Sequence, residues 1–166
     1  MSLLVDFAKL TPLQVDERFM REALKEAKKA YDQEEVPVGA VLVHKNKVIA
    51  RGYNQVELLQ DATAHAEMIC LTSGASNLQN WRLADTTLYC TLEPCSMCAG
   101  ALLNARVKRL VWAAPDLRLG ANGSWTDLFA LKHPMHALEI TPRILEAESA
   151  DLMRQFFQET RKKKKP

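Results

Sequence analysis

Two short stretches hold the residues able to do chemistry: Thr63-Ala64-His65-Ala66-Glu67 and Glu93-Pro94-Cys95-Ser96-Met97-Cys98. One imidazole and two thiols are side chains that zinc prefers, and a catalytic zinc keeps one of its four positions open for water. His65, Cys95 and Cys98 make three ligands, and Glu67 is a spare acid two residues past the imidazole. Three ligands and a free acid are what metal-assisted hydrolysis needs; a fourth protein ligand would close the site. Taken alone, each half has an ordinary reading. Cys-x-x-Cys also serves as a redox pair or as half of a structural zinc site, and a lone histidine in an apolar stretch is more often a core or surface residue.

The elements that must position these residues follow from spacing. Cys95 and Cys98, three apart, fall on one face of a helical turn. Pro94 suits a helix start, where its missing N–H costs nothing, and the partial positive charge of a helix N-terminus favours thiolates. His65 precedes an apolar run and opens a second predicted helix that ends near Gly74, read as a C-cap. Residues two apart on a regular helix do not face each other, so either His65 sits at an irregular first turn or Glu67 reaches round to the zinc-bound water.

Around this pair the chain alternates helices and strands. Phe19, Met20, Ala23, Leu24, Ala27 and Ala30 recur at helical spacing, predicting a helix from an N-cap at Asp16 to before Val36-Pro37, behind a loose extension over residues 1–14. Residues 38–44 and 48–53 read as a hairpin with His44 solvated at its end, and residues 54–63 as a polar loop. Thr86–Leu92 is a strand that runs straight into Pro94-Cys95, and the helix Ser96–Asn104 and a strand over 109–113 follow. A strand–helix–strand unit of this length predicts parallel pairing. A Gly-rich segment at 116–124, a weaker strand candidate at 136–140 and a closing helix bearing Ile144, Leu145, Met153, Phe156 and Phe157 complete the chain. The expectation is an α/β domain of three α/β/α layers around a central mixed sheet of about five strands, one domain over residues 1–166.

Composition narrows the setting. A chain of 166 residues fits one domain with one substantial core. The net charge of +2 decides little, but residues 162–165 are all lysine, so 162–166 form a basic tail. The first ten residues carry Asp6 and Lys9 and lack the long apolar centre of a signal peptide, and no run approaches transmembrane length. A cytoplasmic, non-membrane protein is expected, with Cys95 and Cys98 on metal and Cys70 and Cys90 as plain buried thiols.

Together the two fragments match the H-x-E…P-C-x-x-C spacing of zinc deaminases of nucleobases, the bacterial tRNA deaminase among them. From about Phe19 to Arg161 the chain resembles the tRNA-specific adenosine deaminase family, within the cytidine-deaminase-like fold. The resemblance is carried by Glu35-Val36-Pro37-Val38-Gly39-Ala40-Val41, Ala64-His65-Ala66-Glu67, the run from Thr91 through Cys98 to Ala101, and Gly120-Ala121-Asn122-Gly123-Ser124. The last segment, with Phe156-Phe157 and Arg161, points to the tRNA enzyme within the wider superfamily. Three positions depart from the family pattern: Ala62 replaces a usual Pro, Met135 a common Asn, and Ala113 a usual Gly.

The resemblance implies one zinc ion on His65, Cys95 and Cys98, with Glu67 as the proton shuttle. It implies Asn54 and the Ala66 backbone at the bound nucleoside, Arg161 near the tRNA anticodon stem-loop, and a homodimer. The reaction implied is hydrolytic deamination of the wobble adenosine, position 34, to inosine. Two other functions share parts of the pattern. A deaminase of free guanine, cytosine or a nucleoside would carry the same zinc signature, and a non-catalytic zinc protein could bind RNA through the tail but would have no use for Glu67.

Overall fold

The computed structural model describes residues 6–163; the ends of the expected extension (1–5) and of the basic tail (164–166) lie outside the described residues. After a single 3-10 turn at Phe7–Lys9, helix α1 spans Pro12–Asp32. It starts four residues before the expected N-cap at Asp16. Thr11 is the cap: its hydroxyl accepts the Gln14 N–H at 3.2 Å, and the Gln14 side chain accepts the Thr11 N–H at 2.9 Å. This reciprocal capping box, with Pro12 at the first helical position, satisfies two free amides. Asp16 is instead buried inside the helix, bonded to the Tyr89 hydroxyl and to both terminal nitrogens of Arg109.

Strands β1 (Gly39–His44) and β2 (Lys47–Tyr53) form the expected hairpin. Lys45 and Asn46 both have positive φ, as a two-residue turn matched to strand twist requires. A short helix α2 (Val56–Leu59) lies within the segment read as loop. Helix α3 covers Ala66–Leu78, running past Gly74, so Gly74 is no C-cap. It lies inside the helix because a Cβ there would come within 2.3 Å of Leu42 Cδ2; Gln79, in left-handed conformation, ends the helix.

Strand β3 (Thr86–Leu92), helix α4 (Ser96–Asn104) and strand β4 (Arg109–Ala114) follow, and β3 and β4 pair in parallel as the spacing predicts. Strand β5 is Glu139–Thr141, later and shorter than expected. Helix α5 is Glu146–Lys163, which leaves the buried Ile144 just ahead of it.

The sheet order is β2-β1-β3-β4-β5, antiparallel in its first half and parallel in its second. Alternation along the central strands separates two cores. Ala40, Leu42, Leu88, Cys90, Leu110 and Trp112 face Cys70 and Leu71 of α3 and Leu102 of α4. Val41, Val43, Tyr89, Val111 and Ala113 face Phe19, Met20 and Ala23 of α1. The expected three-layer mixed-sheet architecture therefore forms, with α3 and α4 side by side on one face.

Candidate active site

Both metal-capable fragments cap helices on that face. His65 is the N-cap of α3 and Cys95 the N-cap of α4, each with extended backbone (ψ 153° and 170°). Neither side chain closes a capping bond on its own helix, so both are free to turn toward a common point. Pro94 is thus one residue ahead of the cap rather than the first helical residue. Cys98 is at the third helical position, which an N-cap side chain normally faces. Glu67 is at the second position of α3. Because His65 lies outside the regular helix, the two-residue separation does not point their side chains apart.

The Cys95 and Cys98 sulfurs each lie 3.6 Å from His65 Nδ1, and the three ligand atoms all fall within 4.8 Å of one another. A tetrahedral zinc with ordinary bonds to nitrogen and sulfur has an N···S edge of about 3.6 Å. The trio therefore fits zinc without rearrangement, and it is the one such His/Cys/acid group among the described residues.

Electrostatics fit the same reading. The Cys95 thiol is drawn down to about 4, first by its hydrogen bond with Cys98, then, against the opposing effect of burial, by His65. The same hydrogen bond and burial hold Cys98 far above the ordinary thiol range, and a bound metal would take it as thiolate. His65 is raised, chiefly by its bond to Cys95. Glu67, 4% exposed, is raised by burial, which suits a carboxyl that must pick up and release a proton.

His65, Glu67, Cys95 and Asn54 line one cavity of about 210 Å³, walled also by Val36, Val38, Asp116 and Leu119. It is smaller than the roughly 300–1,000 Å³ of drug-sized pockets and suits one flat base. Ala66 is fully buried and does not line it; a Cβ on Gly52 would come within 2.4 Å of its carbonyl, so β2 seats the start of α3 at backbone contact. Arg161 is outside as well. It edges a neighbouring cleft of about 820 Å³ with Arg154, Met153 and Phe157, which shares Leu92, Asp116 and Arg118 with the cavity.

Two buried acids had no assigned role from sequence. Glu35, 1% exposed, accepts the Asn54 side-chain N–H at 3.1 Å and the Leu58 backbone N–H at 2.7 Å, fixing which way the Asn54 amide faces. Glu93 is equally buried against the 116–124 loop. The available signal was placement: each acid abuts an X-Pro strand boundary in an apolar run, where an unpartnered charge is costly.

The family described as "Cytidine and deoxycytidylate deaminase zinc-binding region" matches residues 13–114. The chain is 60% identical over 160 residues to the chloroplastic tRNA(adenine(34)) deaminase of Arabidopsis thaliana, matching 87% of this chain but only 12% of that protein's length. It is 48% identical to the tRNA-specific adenosine deaminase of Haemophilus influenzae, over 90% of this chain and 87% of that protein. A structure from studies of A-to-I editing by tRNA:A34 deaminases at the wobble position of transfer RNA superposes with TM-score 0.78 at 42% identity, over 81% of this chain and 98% of that one. With sequence, zinc-capable trio and backbone in agreement over most of its length, the chain belongs to the tRNA-specific adenosine deaminase family, on the cytidine-deaminase-like fold.

Proposed function

We propose that this chain hydrolyses the exocyclic amine of adenosine 34 in a tRNA anticodon, giving inosine and ammonia. The observation that carries the proposal is the buried Glu67 carboxyl sharing a base-sized cavity with His65 and Cys95, two members of the zinc-capable trio whose third, Cys98, lies buried behind them. His65, Cys95 and Cys98 would hold the zinc, which when bound would supply the Lewis acidity that makes water nucleophilic near neutral pH.

The chain's own groups do the rest. Glu67 takes a proton from the attacking water and passes it to N1 of the purine as the C6–O bond forms. It then takes the remaining proton from the C6 hydroxyl and delivers it to the amine, so that ammonia leaves as the C6–N bond breaks and the C6 carbonyl forms. Asn54, oriented by Glu35, offers its remaining amide atoms to the base, and the Ala66 backbone backs the site. An anticodon loop presents an unstacked base at lower cost than a duplex does. Arg118, Arg154 and Arg161 around the adjoining cleft are placed to meet the flanking phosphates.

The same reading takes residues 1–166 as one deaminase domain acting as a homodimer in the cytoplasm. What supports a second copy is the apolar surface of α2, where Leu58 and Leu59 are more than half exposed beside a groove containing Met68 and Ile69. What supports a reducing compartment is the need for Cys95 and Cys98 as thiols. No helix among the described residues is long and apolar enough to cross a membrane.

The test is to incubate the purified zinc-loaded protein with total tRNA and sequence the RNA. Adenosine-to-inosine conversion confined to position 34 is expected. Robust turnover of free guanine or cytosine with untouched tRNA would replace this proposal.

A further inference from the structure

One buried carboxylate beside the site has no part in the proposed proton transfers. Glu93 is 1% exposed and stands two residues before Cys95. Its Oε1 accepts the backbone N–H groups of Asn122 at 2.8 Å and Ser124 at 3.3 Å. Its Oε2 accepts the Asp116 N–H at 3.1 Å and the Ser124 hydroxyl. An ionised carboxylate is acceptor-only with room for about four donors, so this arrangement uses it fully. The packing admits no substitute at the loop's closest approach: a Cβ on Gly120 would lie 2.4 Å from Glu93 Cδ and 2.6 Å from the Asp116 carbonyl.

The loop so gathered touches the site at both ends. Gly120 pairs with Cys95 in an isolated antiparallel bridge, and the Ala121 N–H donates to the Pro94 carbonyl at 2.9 Å. Asp116, Arg118 and Leu119 form the cavity wall shared with Glu67 and His65. Asp116 Oδ1 also accepts the Arg118 and Leu119 N–H groups at 3.0 and 3.3 Å, a turn that shapes the wall without tying it to the core. Leu117 is 79% exposed and Leu119 50% exposed, so the segment is held by polar bonds more than by core packing.

We infer that Glu93 is a positioning residue for substrate binding: by gathering four donors of the 116–124 loop beside Cys95, it holds the Asp116–Arg118–Leu119 wall at a fixed distance from Glu67. The inference rests on the deaminase reading above. A wall that meets the bound base in ground state and transition state alike contributes uniform binding. Its loosening therefore raises KM and leaves kcat nearly unchanged.

The test compares the wild-type protein with Glu93→Gln and Ser124→Ala in zinc content, backbone amide hydrogen exchange, and kinetics on an RNA stem-loop presenting adenosine 34. Glu93→Gln keeps the shape but sets an NH2 group against backbone N–H donors. It is expected to retain about one zinc per chain, to exchange faster at the Asp116, Asn122 and Ser124 amides but not in β4, and to raise KM roughly tenfold or more, with kcat within a few-fold. Ser124→Ala removes one of the four bonds, and a smaller rise of the same kind is expected; it keeps the test intact if Glu93→Gln does not fold.

Unchanged exchange and KM in both variants would overturn the inference. So would loss of zinc with a collapsed kcat at unchanged KM, which would assign Glu93 to the metal turn instead. A wild-type protein inactive on the stem-loop would overturn the deaminase reading. Exchange at the three amides would then decide for or against the Glu93 clamp by itself.

Discussion

Glu67 shares its cavity with His65 and Cys95, yet it and the three zinc-capable residues are expected to fail in different ways when removed. His65→Ala or Cys95→Ala leaves two ligands where zinc needs at least three from the protein, so metal and turnover should be lost together. Glu67→Ala removes no ligand. It should keep about one zinc per chain while the rate falls by roughly 10²–10⁴-fold, the usual worth of a positioned acid–base group. Elemental analysis beside single-turnover kinetics checks both, and a near-normal rate for Glu67→Ala would end the proposed proton route. Glu35 belongs to the same scale. Glu35→Ala strands the buried Asn54 amide, costing about 1–3 kcal/mol, while the Leu58 N–H, on a residue 59% exposed, can turn to water. Chemical denaturation measures that loss, and KM for the stem-loop should rise because the Asn54 amide is free to turn.

At the scale of elements, the site depends on how closely helix starts approach the sheet. Gly52 of β2 lets the first turn of α3 come down to backbone contact: a Cβ there would lie 2.4 Å from the Ala66 carbonyl and 3.0 Å from the Cys70 nitrogen. Backbone cannot yield as a side-chain tip can, so Gly52→Ala should push the His65–Glu67 turn away from the α4 start. A stability loss of about 1–3 kcal/mol is expected from overpacking, with turnover reduced in the folded protein. An equal or higher melting temperature with full activity would show that α3 can move without disturbing the site. On the opposite face, Asp16 ties α1 to β4 through Arg109, whose two nitrogens lie 2.8 and 2.7 Å from its oxygens. Asp16→Ala leaves a half-buried guanidinium without its partner. The expected cost, read from urea midpoints, is about 2–3 kcal/mol, below the 3–5 of a fully buried pair because Arg109 keeps some solvent contact.

For the whole molecule, the end of α5 concentrates the charge that the proposed RNA contact would use. Lys163 is bonded to Glu34 across the corner after α1, so this part of the basic tail is already partly neutralised. The bond with Lys163 lowers the Glu34 carboxyl, and the same bond raises the Lys163 ammonium. A lowered acid stabilises above its ordinary value of 4.5 and loses that contribution as pH falls through its folded value. A raised base contributes below 10.5 and loses it as pH climbs through its folded value. The contact thus holds across the neutral range and competes there with phosphate. Glu34→Gln should release Lys163 and steepen the dependence of log K on log salt by ~0.7, one single-strand phosphate contact. Deleting residues 162–166 should flatten it by about 1 and weaken binding at low salt, with zinc content and the rate at saturating RNA unchanged. Binding titrations across several salt concentrations read both. Superimposable curves would make the tail a solvated end and leave the RNA footprint to Arg118, Arg154 and Arg161.

Local rules were enough for the zinc-capable His65–Cys95–Cys98 group and most of the scaffold. Residue type names zinc, and three-residue spacing brings Cys95 and Cys98 onto one turn, because each depends on neighbours within a few positions. The Thr11–Gln14 capping box was legible on the same terms, although the apolar period alone pointed to Asp16. Other features depend on partners distant in the chain. Gly74 looks like a helix end until Leu42 of another strand requires it inside the helix. Glu35 and Glu93 look like ordinary surface acids until donors 19 to 31 residues away converge on them in the core. Arg161 shares the family's basic position, yet the packing of α5 puts it at a neighbouring cleft and not in the base cavity. The chemistry was written in adjacent residues. The walls of the cavity that directs it were decided by tertiary contacts, since a buried polar group takes the partner that folding brings to it, whatever lies beside it in sequence.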